Sequence, residues 1–203
     1  MLTFFHAPRS RSTRILALLK ELGALDKVER RIVTIPRQDG SGGPDAANPH
    51  PEGKVPLLVH NGEVIRETTA IALYLTDLFP AAGLGPKVGE TGRGSYLSWL
   101  AWYGDVMEPV YVFHAAGLAH PLLDITFRGV AEVEAQLTTA LSDGRDYLLG
   151  ARFSAADMIV ASPYGYFPDA VPADPKVRAW VDRCLARPSL AWAAAEDDAA
   201  MAA

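Results

Sequence analysis

Pro51-Glu-Gly-Lys-Val-Pro-Leu-Leu-Val-His-Asn-Gly-Glu-Val-Ile-Arg-Glu-Thr-Thr-Ala-Ile-Ala-Leu-Tyr-Leu-Thr-Asp77 reads as strand, tight turn, strand, helix. Leu57, Leu58 and Val59 form a short apolar run, and Val64 with Ile65 returns beside it. Asn61-Gly62 between them is a strong hairpin signal, because both central residues of the favoured two-residue turn need positive φ. Glu67-Thr68-Thr69 then opens a helix whose apolar residues Ile71, Tyr74, Leu75 and Leu78 recur at helical spacing. Two pairs in this stretch have chemical potential. Pro56 stands at the start of a strand, where a residue without an N–H is tolerated and the main chain of Val55 stays available to an extended ligand. Glu67-Thr68 puts an acceptor and a hydroxyl at a helix N-terminus, a place suited to a simple cap or to a bound carboxylate.

Working outward, Leu2 to Phe5 reads as a strand. Arg14 to Leu22 reads as a helix, with Ile15, Leu18, Leu19 and Leu22 on one face and Arg14, Lys20 and Glu21 off it; Gly23 closes it. Val28 to Ile35 reads as a second strand, and the intervening helix makes a parallel crossover the natural connection. Residues 36–53 are rich in Pro, Gly, Asn, Asp and Ser and predict a loop that admits one short helix over 44–47. The glycine-rich stretch around Pro86 predicts a linker over residues 82–90, between a first domain at 1–81 and a second at 91–203.

The second half is helical throughout. Tyr96, Trp99, Leu100, Tyr103, Met107, Val110 and Tyr111 form one stripe, in which Pro109 should kink or break the helix. Val130, Val133, Leu137 and Leu141 mark a second helix. Ser154 and Asp157 have capping-box spacing at the start of a third, a structural pair. Val177, Trp180, Val181, Cys184 and Leu185 mark a fourth that stops at Pro188, with Cys184 as a core thiol. The Ala-rich tail 191–203 is expected to fray. The fold class is therefore α/β plus all-α.

The totals narrow the function. The chain has 203 residues, 49% of them hydrophobic, and a net charge of −5, with no dense basic tract for nucleic acid. It holds one cysteine, which fits a reducing, cytoplasmic setting. No stretch reaches the ~18 apolar residues of a membrane helix. No His, Cys or Asp cluster has metal-ligand spacing, so no metal is expected.

His6-Ala-Pro-Arg-Ser-Arg-Ser-Thr-Arg14 joins the first strand to the first helix. Ser10 or Ser12 reads either as an N-cap or as a hydroxyl that donates to a bound thiolate, with the helix N-terminus and Arg11 or Arg14 acting in the same direction. Arg9, Arg11, Arg14 and Lys54 form a loose positive rim that could steer an anion.

Val-Pro, hairpin, Glu-Thr-x-Ala-Ile, helix and Phe-Pro resemble the glutathione-binding half of the glutathione S-transferase family, and the Phe-Ser-Ala-Ala-Asp cap at 153–157 and the last strong helix agree with it. The resemblance runs from Leu2 to about Trp192. It implies an N-terminal thioredoxin-like βαβ-ββα domain followed by an all-helical domain, and glutathione as co-substrate. Val55, before a cis-Pro56, would pair its backbone with the cysteinyl part of glutathione, Glu67 and Thr68 would hold the γ-glutamyl end, and Lys54 would assist. The family's activating residue lies in the first strand–helix junction, where this chain has neither cysteine nor tyrosine; that leaves a serine-type site, with Ser10 first and Ser12 second. The resemblance further implies an acceptor pocket between the domains, with Phe5, His6, Tyr103, Met107, Tyr111, Phe113, His114 and Tyr166 as candidates for an apolar electrophile. It also implies a detoxifying role and a homodimer, across which Asp105 could reach the glutathione amine. Two alternatives stay open: another glutathione-dependent enzyme (isomerase, dehalogenase or peroxidase), or a non-catalytic protein that binds glutathione or apolar ligands.

Overall fold

In a computed structural model the described residues are 1–202. β1 (Leu2–His6) is buried along its whole length, Thr3 and His6 included, as befits a strand covered on both faces. α1 (Thr13–Glu21) carries the chain over to β2 (Glu29–Ile32), which pairs parallel to β1. β3 (Leu57–His60) pairs antiparallel on the other side of β1, and β4 (Glu63–Ile65) pairs antiparallel with β3, giving the order β2-β1-β3-β4. The hairpin is the two-residue turn expected: His60 faces Glu63, and Asn61 and Gly62 have φ of 50° and 88°. α2 (Thr68–Leu78) follows. β2 is shorter than the Val28–Ile35 reading and exposed throughout, and residues 44–47 form turns and no helix.

One compact unit comprises Met1–Gly83 together with the chain from Ala186 onward. Its last helix, α9 (Pro188–Ala202), packs on α1. Pro188 therefore starts a helix as well as ending the one before it, since a missing N–H costs nothing in a first turn. Among the described residues the tail expected to fray is helical through Ala202, and Ser189, Ala193 and Asp197, spaced four apart on one face, are buried; residue 203 lies outside the described residues. Arg187 grips Glu21 of α1 through two bonds of 2.7 and 2.6 Å, Ser189 Oγ adds a third at 2.6 Å, and Lys20 lies 4.2 Å over the Trp192 ring. The sequence grouped residues 91–203 together; packing assigns α9 to the sheet.

The second unit runs over Leu84–Leu185. It contains α3 (Arg93–Trp102), α4 (Glu108–Ala115), α5 (Pro121–Thr126), α6 (Val130–Leu141), α7 (Ala155–Ala161) and α8 (Pro175–Leu185). α3 and α4 are joined by a π-helical turn over Tyr103–Met107, and Pro109 sits in the first turn of α4. The helix thus widens ahead of the proline, with the Glu108 N–H reaching back to Tyr103 C=O. α7 is buried at every residue. Asp157 ties it down: Oδ2 accepts from Ser154 N (2.9 Å) and Ser154 Oγ (2.7 Å), and Oδ1 accepts from Leu148 N (2.8 Å) and Trp180 Nε1 (2.9 Å). Cys184 is buried, as expected. No helix among the described residues is long and apolar enough to cross a membrane.

Candidate active site on the sheet unit

Register gathers the candidate residues of this unit at one end of the sheet. Phe5 faces Leu57 and Leu58 faces Ile65, so the chain leaving β1, the chain entering β3 and the chain leaving β4 share that end. These are the segments of Ser10, of Val55-Pro56 and of Glu67-Thr68.

The first segment is tightly tethered. Ala7 and Pro8 are buried, and Arg9 turns the chain with φ of 52°. Arg37 of the long loop donates to Pro8 C=O (2.7 Å) and Arg9 C=O (3.3 Å). Ser12 is completely buried: its Oγ lies 2.7 Å from His6 Nδ1, accepts from Ala7 N at 3.2 Å and lies 3.1 Å from Ala7 C=O. Its side chain does not cap α1. Ser10 is partly exposed, and its Oγ lies 2.7 Å from both Ala7 C=O and Ser12 Oγ while accepting from Ser12 N at 3.1 Å. Of the two serines, only Ser10 has surface to offer a ligand.

Asp197 of α9 completes this corner. Its Oδ1 is 2.8 Å from His6 Nε2, and its Oδ2 accepts from Arg9 N (2.6 Å) and Thr13 Oγ1 (2.5 Å). Burial pushes the Asp197 carboxyl up, but the bonds from His6, Thr13 and Arg9 outweigh it and hold the group below the ordinary carboxylate range. Arg9 is paired through its guanidinium with Asp198, at 3.0 and 2.7 Å, and Arg14 is buried, so neither matches the open positive rim read from the sequence.

Val55 precedes a cis peptide bond to Pro56, as the resemblance implied. Among the described residues no partner takes the Val55 N–H or C=O. Asn48 Nδ2 donates to Lys54 C=O at 3.1 Å and anchors the approach. Lys54 is exposed and pairs with Glu52 at 2.5 Å, a bond that raises its pKa. Glu67 has φ of 71° and ψ of 125°, a conformation that costs a non-glycine residue of order 1–3 kcal/mol. It is exposed, Thr68 is partly so, and no side chain caps α2, whose first N–H groups stay available.

The acceptor candidates are mostly packing residues. Phe5 is 4% exposed and packs with Val33 and Leu57, its ring under the Arg31 guanidinium at 5.8 Å. Tyr103 and Met107 are 1% and 0% exposed in the helical unit, because the stripe they belong to is that unit's core. Tyr111 and Phe113 are partly exposed; Tyr111 Oη lies 3.0 Å from Tyr164 Oη, and Phe113 meets Phe127 edge-on at 5.4 Å. Burial pushes both phenol groups of the tyrosine pair up. Asp105, His114 and Tyr166 are exposed, and His6 is committed to Ser12 and Asp197. Among the described residues no group of His, Cys, Asp and Glu has a metal-holding arrangement.

The sequence reading missed Asp197. Its one signal is the spacing Ser189, Ala193, Asp197, which puts an acid on a face of small residues.

Two family descriptions match the chain: Glutathione S-transferase, N-terminal domain, over residues 9–78, and Glutathione S-transferase, C-terminal domain, over residues 115–183. Protein LigF from Sphingobium sp. is 27% identical over 70% of this chain and 73% of its own length. A glutathione transferase structure from Methylococcus capsulatus is 26% identical with a TM-score of 0.73, covering 98% of this chain and all of the other. A sphingomonad glutathione S-transferase complexed with glutathione is 26% identical with a TM-score of 0.72, covering 97% of this chain and 98% of the other. With both halves matched and the fold shared over nearly its whole length, the chain belongs to the glutathione S-transferase family.

Proposed function

We propose that this protein is a glutathione transferase of the serine type, which binds glutathione at the sheet end described above and delivers its thiolate to an apolar electrophile. The observation that carries this reading is the convergence of Ser10, the unpaired Val55 main chain and the uncapped N-terminus of α2 at one end of the sheet. In this reading the Val55 N–H and C=O pair with the cysteinyl unit, and Glu67, Thr68 and the first N–H groups of α2 hold the γ-glutamyl end, where the helix dipole favours its carboxylate. Lys54 contributes positive charge. Ser10 donates its O–H to the sulfur, and the donation stabilises the thiolate over the thiol. Ser12 acts behind Ser10. The exposed parts of Tyr111 and Phe113 are candidates for apolar contact with the acceptor. The cytoplasmic setting, the detoxifying role and the homodimer belong to the same proposal.

The test is calorimetric titration with glutathione of the wild type, Glu67→Ala and Thr68→Ala. Wild-type binding that weakens by about 1–3 kcal/mol in each variant supports the assignment, since each removes a hydrogen bond to a charged group. A wild type that takes up no glutathione overturns it.

A further inference from the structure

We propose that Asp197 is a positioning residue for thiol activation: acting through His6 and Ser12, it fixes Ser10 as the hydroxyl that donates to sulfur. The inference rests on the serine-type reading above. A carboxylate only accepts, so the 2.8 Å contact of Asp197 Oδ1 with His6 Nε2 requires the proton on Nε2. In the neutral imidazole the lone pair at Nδ1 then faces Ser12 Oγ at 2.7 Å, a nearer acceptor for the single Ser12 proton than Ala7 C=O at 3.1 Å, and the proton is drawn there. Ser12 oxygen is left as an acceptor, for Ala7 N–H and for Ser10. Ser10 oxygen already accepts from Ser12 N, so what Ser10 has left to give is its own proton. That proton rests on Ala7 C=O or Ser12 Oγ and can turn outward to an anion, whereas Ser12 is sealed from any ligand.

Asp197 also fixes where Ser10 stands. Its second oxygen takes Arg9 N–H and Thr13 O–H, which bracket Ser10 in the chain, and it holds Arg9 in the positive-φ conformation that a non-glycine residue leaves when untethered. Its neighbours on α9 are engaged elsewhere: Glu196 pairs with Arg30 of β2 at 2.9 Å and Asp198 with Arg9. Asp197 is thus the acid of the three that faces inward, and it remains ionised there because three donors converge on it.

The experiment follows the ultraviolet absorbance of the thiolate of bound glutathione against pH in the wild type, Ser10→Ala, Asp197→Asn and the double variant, with calorimetric Kd beside each. Expected are a bound thiol titrating below free glutathione in the wild type and upward displacement by about one pH unit in each single variant. The double variant should titrate no higher than Ser10→Ala, because both act on one bond, while Kd changes less than about threefold. A wild-type thiol pKa in Asp197→Asn overturns the proposal, as do displacements that add in the double variant. Should Asp197→Asn not fold, His6→Gln carries the same expectation, and a wild-type thiol pKa in that variant overturns it equally. If Ser10→Ala leaves the thiol unchanged, or the wild type binds no glutathione, the serine reading itself fails and this inference with it.

Discussion

Replacing Asp157 by alanine strips a buried acceptor from four donors at once: Leu148 N, Ser154 N, Ser154 Oγ and Trp180 Nε1, all within 2.9 Å. The serine hydroxyl can turn to another acceptor, but the three N–H groups are fixed by backbone and ring. Each stranded donor costs roughly 1–3 kcal/mol, and relaxation keeps the sum below simple addition, so the loss should be about 3–5 kcal/mol of the ~5–15 kcal/mol that holds a typical domain folded. Asp157→Asn keeps the shape and one acceptor oxygen but turns an NH2 toward two donors, and should lose roughly half as much. Urea unfolding followed by far-ultraviolet circular dichroism measures both. Trp180→Phe removes one donor, so its combination with Asp157→Ala should cost less than the two losses added. An Asp157→Ala protein within about 1 kcal/mol of wild type would refute the reasoning, since it would mean that the four bonds contribute little against the cost of burying the carboxylate.

Acid should loosen the sheet unit through α9. The Arg187 bonds, opposed by burial, hold Glu21 below its ordinary value of 4.5, and Asp197 is also held low, so both contribute stability that is fully present above about pH 4.5 and lost as pH falls through their depressed folded values. Glu21→Gln should lower the urea midpoint at neutral pH and flatten its fall in acid; an unchanged acid slope would count against the pair. Gly42→Ala would bring a Cβ within 2.1 Å of Ile35 C=O at a φ of 72°, so it should lower Tm by several degrees and speed proteolysis within residues 36–53. Cys184, 1% exposed, should react with a disulfide reagent only at the rate of unfolding, and prompt labelling of the native protein would contradict its burial.

What the sequence disclosed was mostly local. Asn61-Gly62 announces its turn because few other pairs accept two positive φ values, and Ser154 with Asp157 announces a helix start because the two side chains serve nearby backbone. Apolar periodicity found the long helices for the same reason. Its weakness is that a stripe says what is buried and not against what: Tyr103 and Met107 satisfied a pocket reading and a core reading equally, and the core took them. Arg14 shows the converse, a charged residue buried at the start of α1 where composition predicts a rim. The partners of Asp197 were illegible because they stand 184 to 191 positions away, and its own burial rests on a face of small residues that gives only a faint signal.

The return of α9 to the sheet sets an order on biosynthesis. A ribosome delivers the strands and α1 first, then the hundred-odd residues of the helical unit, and only then the helix that covers α1 and supplies Asp197. Until that moment Leu16 and Leu19 of α1 and Val28 lack Trp192 and Glu196, which line one hollow with them, and His6 has no carboxylate to meet. The sheet unit is therefore begun before the helical unit and completed after it, and in the reading proposed above the corner that positions Ser10 waits for α9.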